Sequence, residues 1–442
     1  MSKVKIPRRI STALINSLGS GVVPRVGLEY IAVGRKDEIA SLLQDLGNIG
    51  EGGATCRFIV GRYGSGKSFL LQLIRNYAME RDFVVADADL SPERRLTGTN
   101  GQGLSTYREL MRNLATKTRP DGGALASLLE RWIAAIQTQV IKSTGLKSTD
   151  EAFTNQVEMK ILDIINGMEG MVHGFDFANV LTTYWRGHRM GDDQQKDVAL
   201  RWLRGEFSTK TEARSALDVR VIIDDDNWYD YVKLMSKFVS DIGYKGLIII
   251  IDEAVNLYKI TNTISRQSNY EKLLALFNDT MQGKADHLGI LIGGTPQFVD
   301  DQRRGLFSYE ALRSRLEESR FAQGEYKDLS GPIIRLQTLT PEDIFVLLTR
   351  LAEVHAAHFG EENTLSPEDY QEFIQIVADR LGAQELLTPR EVIRDFISVL
   401  NILRQNPSVM FGQLIKGDDF KPTQAGKDPD LDESGAFAEF TL

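Results

Sequence analysis

A glycine-rich segment at Gly61–Ser68 constrains the fold of this chain more than any other stretch. Its sequence is Gly61-Arg62-Tyr63-Gly64-Ser65-Gly66-Lys67-Ser68. A short apolar run, Arg57–Val60, precedes it. Apolar residues then recur at the spacing of one helix face: Phe69, Leu70, Leu73, Ile74 and Tyr77. The order strand, glycine turn, helix predicts a βαβ unit, with Phe83–Ala86 as its second strand.

The segment fits the pattern G-x-x-x-x-G-K-[ST], which is typical of a phosphate-binding loop. The glycines allow backbone N–H groups to point at phosphate oxygens, and the following helix adds its positive end. We expect Lys67 to neutralise the β and γ phosphates and the Ser68 hydroxyl to ligate Mg²⁺. The sequence therefore predicts binding of ATP with Mg²⁺ by Gly61–Ser68 and the adjoining Phe69.

Two acids follow a second apolar run. Leu247–Ile251 is continuous aliphatic sequence, as in a strand covered on both faces, and Asp252 and Glu253 come directly after it. Ligands of open α/β sheets bind at the carboxyl ends of strands. We expect Asp252 to hold Mg²⁺ through water and Glu253 to polarise an attacking water, the alternative being acids that cap the next helix.

The alternation of strands and helices predicts an α/β fold with a parallel or mostly parallel sheet. Two further strands are predicted at Gly289–Gly293 and Ile333–Leu336, with a helix at about Asn269–Gln282 between strands. Residues from about 104 to 242 read as a helical insertion with its own core, because so long an interval is no plain loop. All four tryptophans lie in it: Trp132, Trp185, Trp202 and Trp228.

The last structured residues read as a small helical domain. Three helix starts there repeat a hydroxyl cap, a proline and an acid: Thr340-Pro341-Glu342-Asp343, Ser366-Pro367-Glu368-Asp369 and Thr388-Pro389-Arg390-Glu391. The predicted domains are a basic N-terminal arm (1–26) with one short amphipathic helix, a phosphate-loop ATPase domain (27–338), a helical lid (339–416) and a flexible acidic tail (417–442).

Several other side chains are candidates for the site. Arg313 and Arg315 follow the fourth strand and are candidates to face a neighbouring subunit, or else form surface ion pairs. Arg390 lies in the first turn of a helix, where the dipole disfavours a cation, which suggests a role at the bound phosphates, the alternative being a tertiary ion pair. Two roles are equally expected for Thr295: a hydrogen bond to water or to the γ-phosphate, or ordinary turn chemistry. Gly34 and Arg35 precede the loop, and Arg35 either closes over the nucleotide or is an ordinary surface arginine.

Composition limits the class of protein. The 442 residues include 42% hydrophobic ones, but no apolar run approaches the roughly 20 residues of a membrane helix. Cys56 is the only cysteine, which excludes an intrachain disulfide. With no signal-peptide pattern at the N-terminus, a cytoplasmic protein with no membrane contact is expected. The net charge of −9 argues against a surface built wholly for DNA.

These elements in this order resemble the AAA+ ATPases, most closely their Orc/Cdc6-like branch, over about residues 27–405. The resemblance implies a Walker A motif at Gly61–Ser68 and a Walker B motif at Ile248–Glu253. It further implies a sensor-1 position near Thr295, arginine fingers at Arg313 or Arg315 acting across a homo-oligomer, and a sensor-2 residue at Arg390. The chain departs from the family pattern in having Thr295 where asparagine is usual, and in lacking a winged-helix pattern after the lid.

A closer resemblance rests on Arg57–Leu70, Trp202-Leu203-Arg204-Gly205-Glu206 and Gly243-Tyr244-Lys245-Gly246-Leu247. These stretches are similar to the BrxD-type ATP-binding proteins of bacteriophage-exclusion (BREX) defence islands. The resemblance implies a bacterial cytoplasmic protein with a role in phage defence, often encoded beside a helicase. A helicase or another defence-system protein is therefore an expected partner.

Two functions stay open at the level of sequence. The first is an ATP hydrolase that cycles in an oligomer and remodels a partner or DNA, which the presence of both Asp252 and Glu253 favours. The second is a slow ATP-dependent switch that recruits a helicase or DNA, which Thr295 favours. A weaker hypothesis is sequence-independent DNA binding by the basic arm and by aromatic–basic patches such as Tyr184–Arg189, although a helical core with a charged rim explains those patches better.

Overall fold

A five-stranded parallel sheet forms the centre of the protein. The computed structural model describes residues 6–168, 170–318, 328–381, 388–417 and 420–423. The strands are β1 (Ala54–Val60), β2 (Val84–Asp89), β3 (Leu247–Asp252), β4 (Leu288–Gly294) and β5 (Ile333–Arg335). Their spatial order is β2-β3-β4-β1-β5, and all neighbours are parallel. All five predicted strands are present, each within three residues of its expected bounds.

Helices cover the sheet and also form the first and last described elements of the chain. The first ten are α1 (Arg8–Gly19), α2 (Lys36–Gly50), α3 (Lys67–Glu80), α4 (Gln102–Arg112), α5 (Leu125–Thr144), α6 (Glu151–Asn166), α7 (Gly174–Met190), α8 (Asp193–Leu203), α9 (Lys210–Leu217) and α10 (Trp228–Asp241). The others are α11 (Val255–Tyr258), α12 (Thr263–Met281), α13 (Pro296–Asp300), α14 (Glu310–Leu316), α15 (Pro341–Phe359), α16 (Pro367–Leu381), α17 (Pro389–Gln405) and α18 (Phe411–Lys416). The helix expected from Asn269 begins six residues earlier.

The two faces of the sheet have separate apolar layers because side chains alternate along each strand. Ile59, Ile248 and Ile250 belong to the face that packs with α2 and α3. Phe58, Ile249 and Ile251 belong to the opposite face, where they join the core formed with the helices of the insertion. Asp252 continues the alternation of Ile248 and Ile250, so its carboxylate lies on the α3 face.

The helical insertion does not have a core of its own. Helices α4 to α10 fill the predicted interval, and all four tryptophans are buried in it. However, one continuous cluster runs from strand residues such as Phe58 and Ile251 to Trp132 and Trp202. The expectation of a separate core was therefore wrong: α4 and α10 pack on the sheet, and the other helices build outward from them.

The N-terminal segment is a layer of the lid, not a detached arm. The predicted amphipathic helix is present as α1, and it packs against α15 and α17. Leu14 is fully buried in the cluster that also holds Phe373 and Phe396. Ser11 Oγ lies 2.9 Å from His358 Nδ1 of α15. The boundary drawn at residue 26 therefore separates α1 from the helices with which it shares a core.

Local capping explains two of the three repeated helix starts in the lid. Thr340 and Asp343 form a complete capping box at α15, and Ser366 pairs with Asp369 at α16. Thr388 is different, because its hydroxyl makes no cap hydrogen bond to α17. The predicted acidic tail lies outside the described residues except for 417 and 420–423. None of the described helices combines the length and apolar character that a membrane span requires.

Replacing Leu14 with alanine tests the docking of α1. Leu14→Ala is expected to reduce the free energy of unfolding by about 2–4 kcal/mol, because it leaves a cavity in the lid core. Val22→Ala, at a side chain 57% exposed in the same segment, is the control and should change it by less than about 0.5 kcal/mol. Urea unfolding measures both, and equal stabilities would contradict the packing described above.

Candidate nucleotide-binding site

The glycine-rich loop connects the centre of the sheet to α3. Strand β1 lies between β4 and β5, so its carboxyl end is held from both sides. Gly64 and Gly66 have φ angles of 77° and 88°, in the left-handed region that favours glycine. Gly66 is the residue before α3, so the N-terminal end of this 14-residue helix faces the loop. The backbone geometry is that of a phosphate cradle.

The side chains of Lys67 and Ser65 belong to the loop and differ in their hydrogen bonding. Lys67 Nζ donates to the carbonyl oxygens of Gly61 at 2.8 Å and Arg62 at 3.0 Å. Ser65 Oγ is buried and has no hydrogen-bond partner among the described residues. The loop therefore gathers a cation, an orphaned hydroxyl and a helix end within a few residues, with Arg62 and Tyr63 exposed beside them.

The acidic pair meets the loop across the sheet edge. Ser68 Oγ donates to Asp252 Oδ2 at 2.7 Å, although the two residues are 184 positions apart. The other oxygen, Asp252 Oδ1, accepts the backbone N–H of Glu253 at 2.8 Å. The hydroxyl and carboxylate that the sequence assigned to Mg²⁺ are thus within one hydrogen bond of each other.

The end of β4 fixes both motifs. Gly294 O accepts the N–H of Gly61 at 3.2 Å, and Gly293 O accepts the N–H of Ala254 at 2.9 Å. A Cβ atom added at Gly293 would overlap Asp252 Oδ1 and lie 2.9 Å from Leu71 Cδ1. Gly293 must therefore be glycine for Asp252 to keep its position.

Glu253 has an unusual backbone conformation. Its φ of 57° lies in the left-handed region, which costs a residue with a side chain about 1 kcal/mol. Partial removal from water, followed by the charges of Asp252 and Asp89, raises the pKa of the Glu253 carboxyl, and Lys67 opposes the rise. Strained backbone and a perturbed carboxyl together are common at functional sites.

Arg35 is buried, and so it is not an ordinary surface arginine. Its guanidinium donates to Ser65 O at 2.9 Å and to Gln337 O, just after β5. Burial lowers its pKa, and the charges of Glu38 and Asp343 oppose that shift. Gly34, with φ of 70°, packs against Asp343 at the start of α15. Arg35 therefore ties the phosphate loop to the connection between sheet and lid.

The lid touches the loop at the start of α17. Arg390 Nη1 donates to the Tyr63 hydroxyl at 2.6 Å. A Cβ atom added at Gly64 would lie 2.6 Å from Thr388 Cβ, so the loop backbone and Thr388 are in direct contact. Thr388 Oγ1 is buried and has no hydrogen-bond partner among the described residues. Phe69, at the start of α3, packs on the lid cluster.

Comparison with known proteins identifies the family. The protein-family model described as BREX system ATP-binding protein BrxC/D matches residues 6–419 of this chain. The chain belongs to this BREX ATP-binding family. The match covers the sheet, the insertion and the lid together, and it confirms the family expected from the loop and the two shorter stretches.

Other comparisons add little. No curated protein matches this BREX ATP-binding protein. Among solved structures it is similar to domain III of the replication initiation protein DnaA from Thermotoga maritima, with 14% identity and a TM-score of 0.36 over 89% of this chain and 97% of that one. It is also similar to Cdc6p from Pyrobaculum aerophilum, with 14% identity and a TM-score of 0.35 over 86% and 67%. These likenesses are too distant to transfer a function.

Asp89 is a site residue that sequence reasoning missed. It ends β2 and is the register partner of Asp252 in this BREX ATP-binding protein, so both carboxylates lie on the α3 face. Partial burial, followed by the charge of Asp252, raises the pKa of Asp89. The predicted second strand, Phe83–Ala86, stopped short of Asp89, and the pairing of Asp89 with Asp252 follows only from the strand register.

Three predicted residues make no side-chain hydrogen bond to the loop among the described residues. Thr295 Oγ1 accepts the Phe298 N–H at 3.2 Å, which is the turn chemistry that the sequence allowed. Arg315 donates to Asn278 Oδ1 at 2.8 Å and to its own helix, and Arg313 lies 3.9 Å from Glu310. Both arginines are on α14, and neither forms a hydrogen bond or ion pair with Gly61–Ser68 within the described part of the chain.

The residues present fit ATP and Mg²⁺. Positive-φ glycines leave room for phosphate beside the amides of the loop, and Lys67 Nζ can exchange carbonyl oxygens for phosphate oxygens. Ser68 and Asp252 supply two hard oxygen atoms, the donor type that Mg²⁺ prefers, while the remaining positions suit phosphate and water.

The contact at Gly293 yields a direct test. Gly293→Ala should weaken Mg²⁺-dependent nucleotide binding at least about tenfold, because the new methyl group displaces Asp252. Gly47→Ala is the matched control, since a Cβ there meets nothing within 4 Å. Titration with a fluorescent ATP analogue at several Mg²⁺ concentrations measures both, and unchanged binding in Gly293→Ala would contradict the geometry at Asp252.

Proposed function

We propose that this BREX ATP-binding protein is a Mg²⁺-dependent AAA+ ATP hydrolase that uses the energy of ATP to remodel or recruit a partner in phage defence. The observation that carries the proposal is the 2.7 Å hydrogen bond between Ser68 and Asp252, with Glu253 as the next residue. It joins a phosphate-binding loop, a metal-ligand pair and an acid that can act on water. A protein that only held nucleotide would need the phosphate-binding loop and the metal-ligand pair, but not the acid.

Each residue has a distinct part in this proposal. Lys67 and the loop amides bind the phosphates, and Ser68 and Asp252 hold Mg²⁺, which neutralises the charge on the departing phosphates. Glu253 orients water and accepts its proton, a task for which a raised pKa is suited. In a hydrolase of this kind, Arg390 would turn from Tyr63 towards the γ-phosphate.

Assembly is part of the proposal. Arg313 and Arg315 are solvent-accessible on α14 and make no hydrogen bond to the loop of their own chain among the described residues, as expected of arginines that complete the site of a neighbouring copy. A homo-oligomer then couples hydrolysis in one subunit to movement of the next. Exposed residues on the insertion are the available surface for a helicase, another defence-system protein or DNA.

The second candidate is an ATP-dependent switch with slow or no turnover. It is favoured by Thr295, which stands where asparagine is usual in the AAA+ pattern and whose hydroxyl oxygen caps α13. Direct DNA binding by the aromatic–basic patches has less support, because Tyr184, Trp185 and Trp202 are buried and cannot stack on bases.

Steady-state hydrolysis separates the hydrolase from the switch. Glu253→Gln is expected to lower kcat by at least about a hundredfold and leave ATP affinity nearly unchanged, because it removes the base and keeps the shape. Glu271→Gln, on the exposed side of α12, is the control. If wild type is no faster than Glu253→Gln with and without DNA, the switch is the correct function.

A mixing experiment tests the shared site. The double variant Arg313→Ala/Arg315→Ala should lose hydrolysis, as should Glu253→Gln. A mixture should recover part of the rate, because some interfaces then combine intact arginines with an intact Glu253. Mass measurement with and without ATP shows whether the variants assemble. Assembly without recovery would count against arginines that act between subunits.

A further inference from the structure

The left-handed turn at Glu253 depends on a neighbour that the proposed mechanism does not use. We infer that Asn256 is a positioning residue that holds Glu253 in place through its side-chain amide. Asn256 Nδ2 donates to Glu253 O at 3.2 Å and to Leu90 O at 2.8 Å. This inference rests on the proposed hydrolysis for its functional consequence, but not for its geometry.

The bridge closes a ring of hydrogen bonds around the acidic turn. Leu90 N donates to Asp252 O at 3.0 Å, and Asn256 N donates to Glu253 O at 3.0 Å. The side chain of Asn256 joins these two bonds, so the segment after β2 and the turn after β3 become one unit. Asp252 Oδ1 holds the other side of the turn through the Glu253 N–H.

The ring matters because the conformation of Glu253 is not the one its side chain prefers. Residues with a Cβ rarely adopt a φ of 57° unless surrounding contacts enforce it. The peptide after Glu253 is the part of the turn that must rotate if the strain is released, and its carbonyl is the atom that Asn256 binds. The amide donor makes one of three hydrogen bonds on this peptide, beside those of Asn256 N–H to Glu253 O and Ala254 N–H to Gly293 O. Its loss loosens the turn that holds the Glu253 carboxylate.

Asn256 is also well placed to act without touching nucleotide. It is half-buried behind the turn in the four-residue helix α11, and its contacts are with backbone atoms. It makes no hydrogen bond to Gly61–Ser68 among the described residues. A positioning role consequently predicts an effect on the chemical step and none on nucleotide affinity.

The variants distinguish the N–H donor from side-chain size. Asn256→Asp keeps the shape but replaces the donor by a negatively charged acceptor, and Asn256→Ala removes both the donor and the shape without adding charge. Asn113→Asp is the matched control, because Asn113 Nδ2 donates at 2.9 Å to Asp87 O near the same end of β2 and at 3.3 Å to Glu109 Oε1, and makes no hydrogen bond to Glu253 among the described residues. Both Asn256 variants should lower kcat about ten- to a hundredfold with less than about a twofold change in the Kd of a fluorescent ATP analogue. Asn113→Asp should change neither.

A second background shows whether Asn256 acts through Glu253. Adding Asn256→Asp to Glu253→Gln should cause no further loss of the residual rate, because the group being positioned is already inactive. An equal loss in both backgrounds would overturn the inference, as would an Asn256→Asp protein with the wild-type rate. A loss of nucleotide affinity parallel to that of kcat would also overturn it, since that indicates a general structural defect.

A crystal structure of Asn256→Asp separates failure of this inference from failure of the proposed function. If wild type does not hydrolyse ATP in any condition, the hydrolase proposal fails, and the backbone at Glu253 alone decides the role of Asn256. A φ outside the left-handed region, or a rotated carbonyl at Glu253, is the expected result. An unchanged turn would overturn the inference whatever the rate.

Discussion

Two backbone hydrogen bonds at the end of β4 hold the candidate site together. Gly294 O binds the first residue of the phosphate loop, and Gly293 O binds the residue after Glu253. Because these acceptors are adjacent on one strand, the loop and the acidic turn cannot shift independently. The Ser68–Asp252 hydrogen bond depends on this arrangement, and so does the space that the missing side chain of Gly293 leaves for Asp252. A parallel sheet makes this possible, since every strand ends at the same edge.

The lid is connected to the same edge by two routes. Arg35 joins the loop at Ser65 to the chain leaving β5, so the connection to α15 starts from a fixed point. At the other end of the lid, Arg390 and Thr388 of α17 contact Tyr63 and Gly64. A movement of the loop therefore reaches the lid through a buried cation and through direct packing. The N-terminal helix α1 shares the lid core and is carried with it.

Two buried hydroxyls that are unpaired within the described part of the chain and one strained backbone lie in this region. Buried hydroxyls at Ser65 and Thr388 have no partner among the described residues, and Glu253 is in a left-handed conformation. Each costs free energy in the folded protein, of the order of 1 kcal/mol. Such local cost is common where a ligand or a bound partner completes the structure.

The sequence by itself determined the strands, the phosphate loop and the acidic pair, because each depends on local patterns of apolar spacing, glycine and charge. It also indicated that Arg390 had a distant partner, since its helix end disfavours a cation. Only the tertiary structure decided that Arg35 is buried, that α1 belongs to the lid and that the insertion shares the core of the sheet. Asp89 and Asn256 likewise emerged only from strand register and from a turn closed by residues 166 positions apart. These features depend on which surfaces pack together, and such long-range contacts leave no periodic signal in a single sequence.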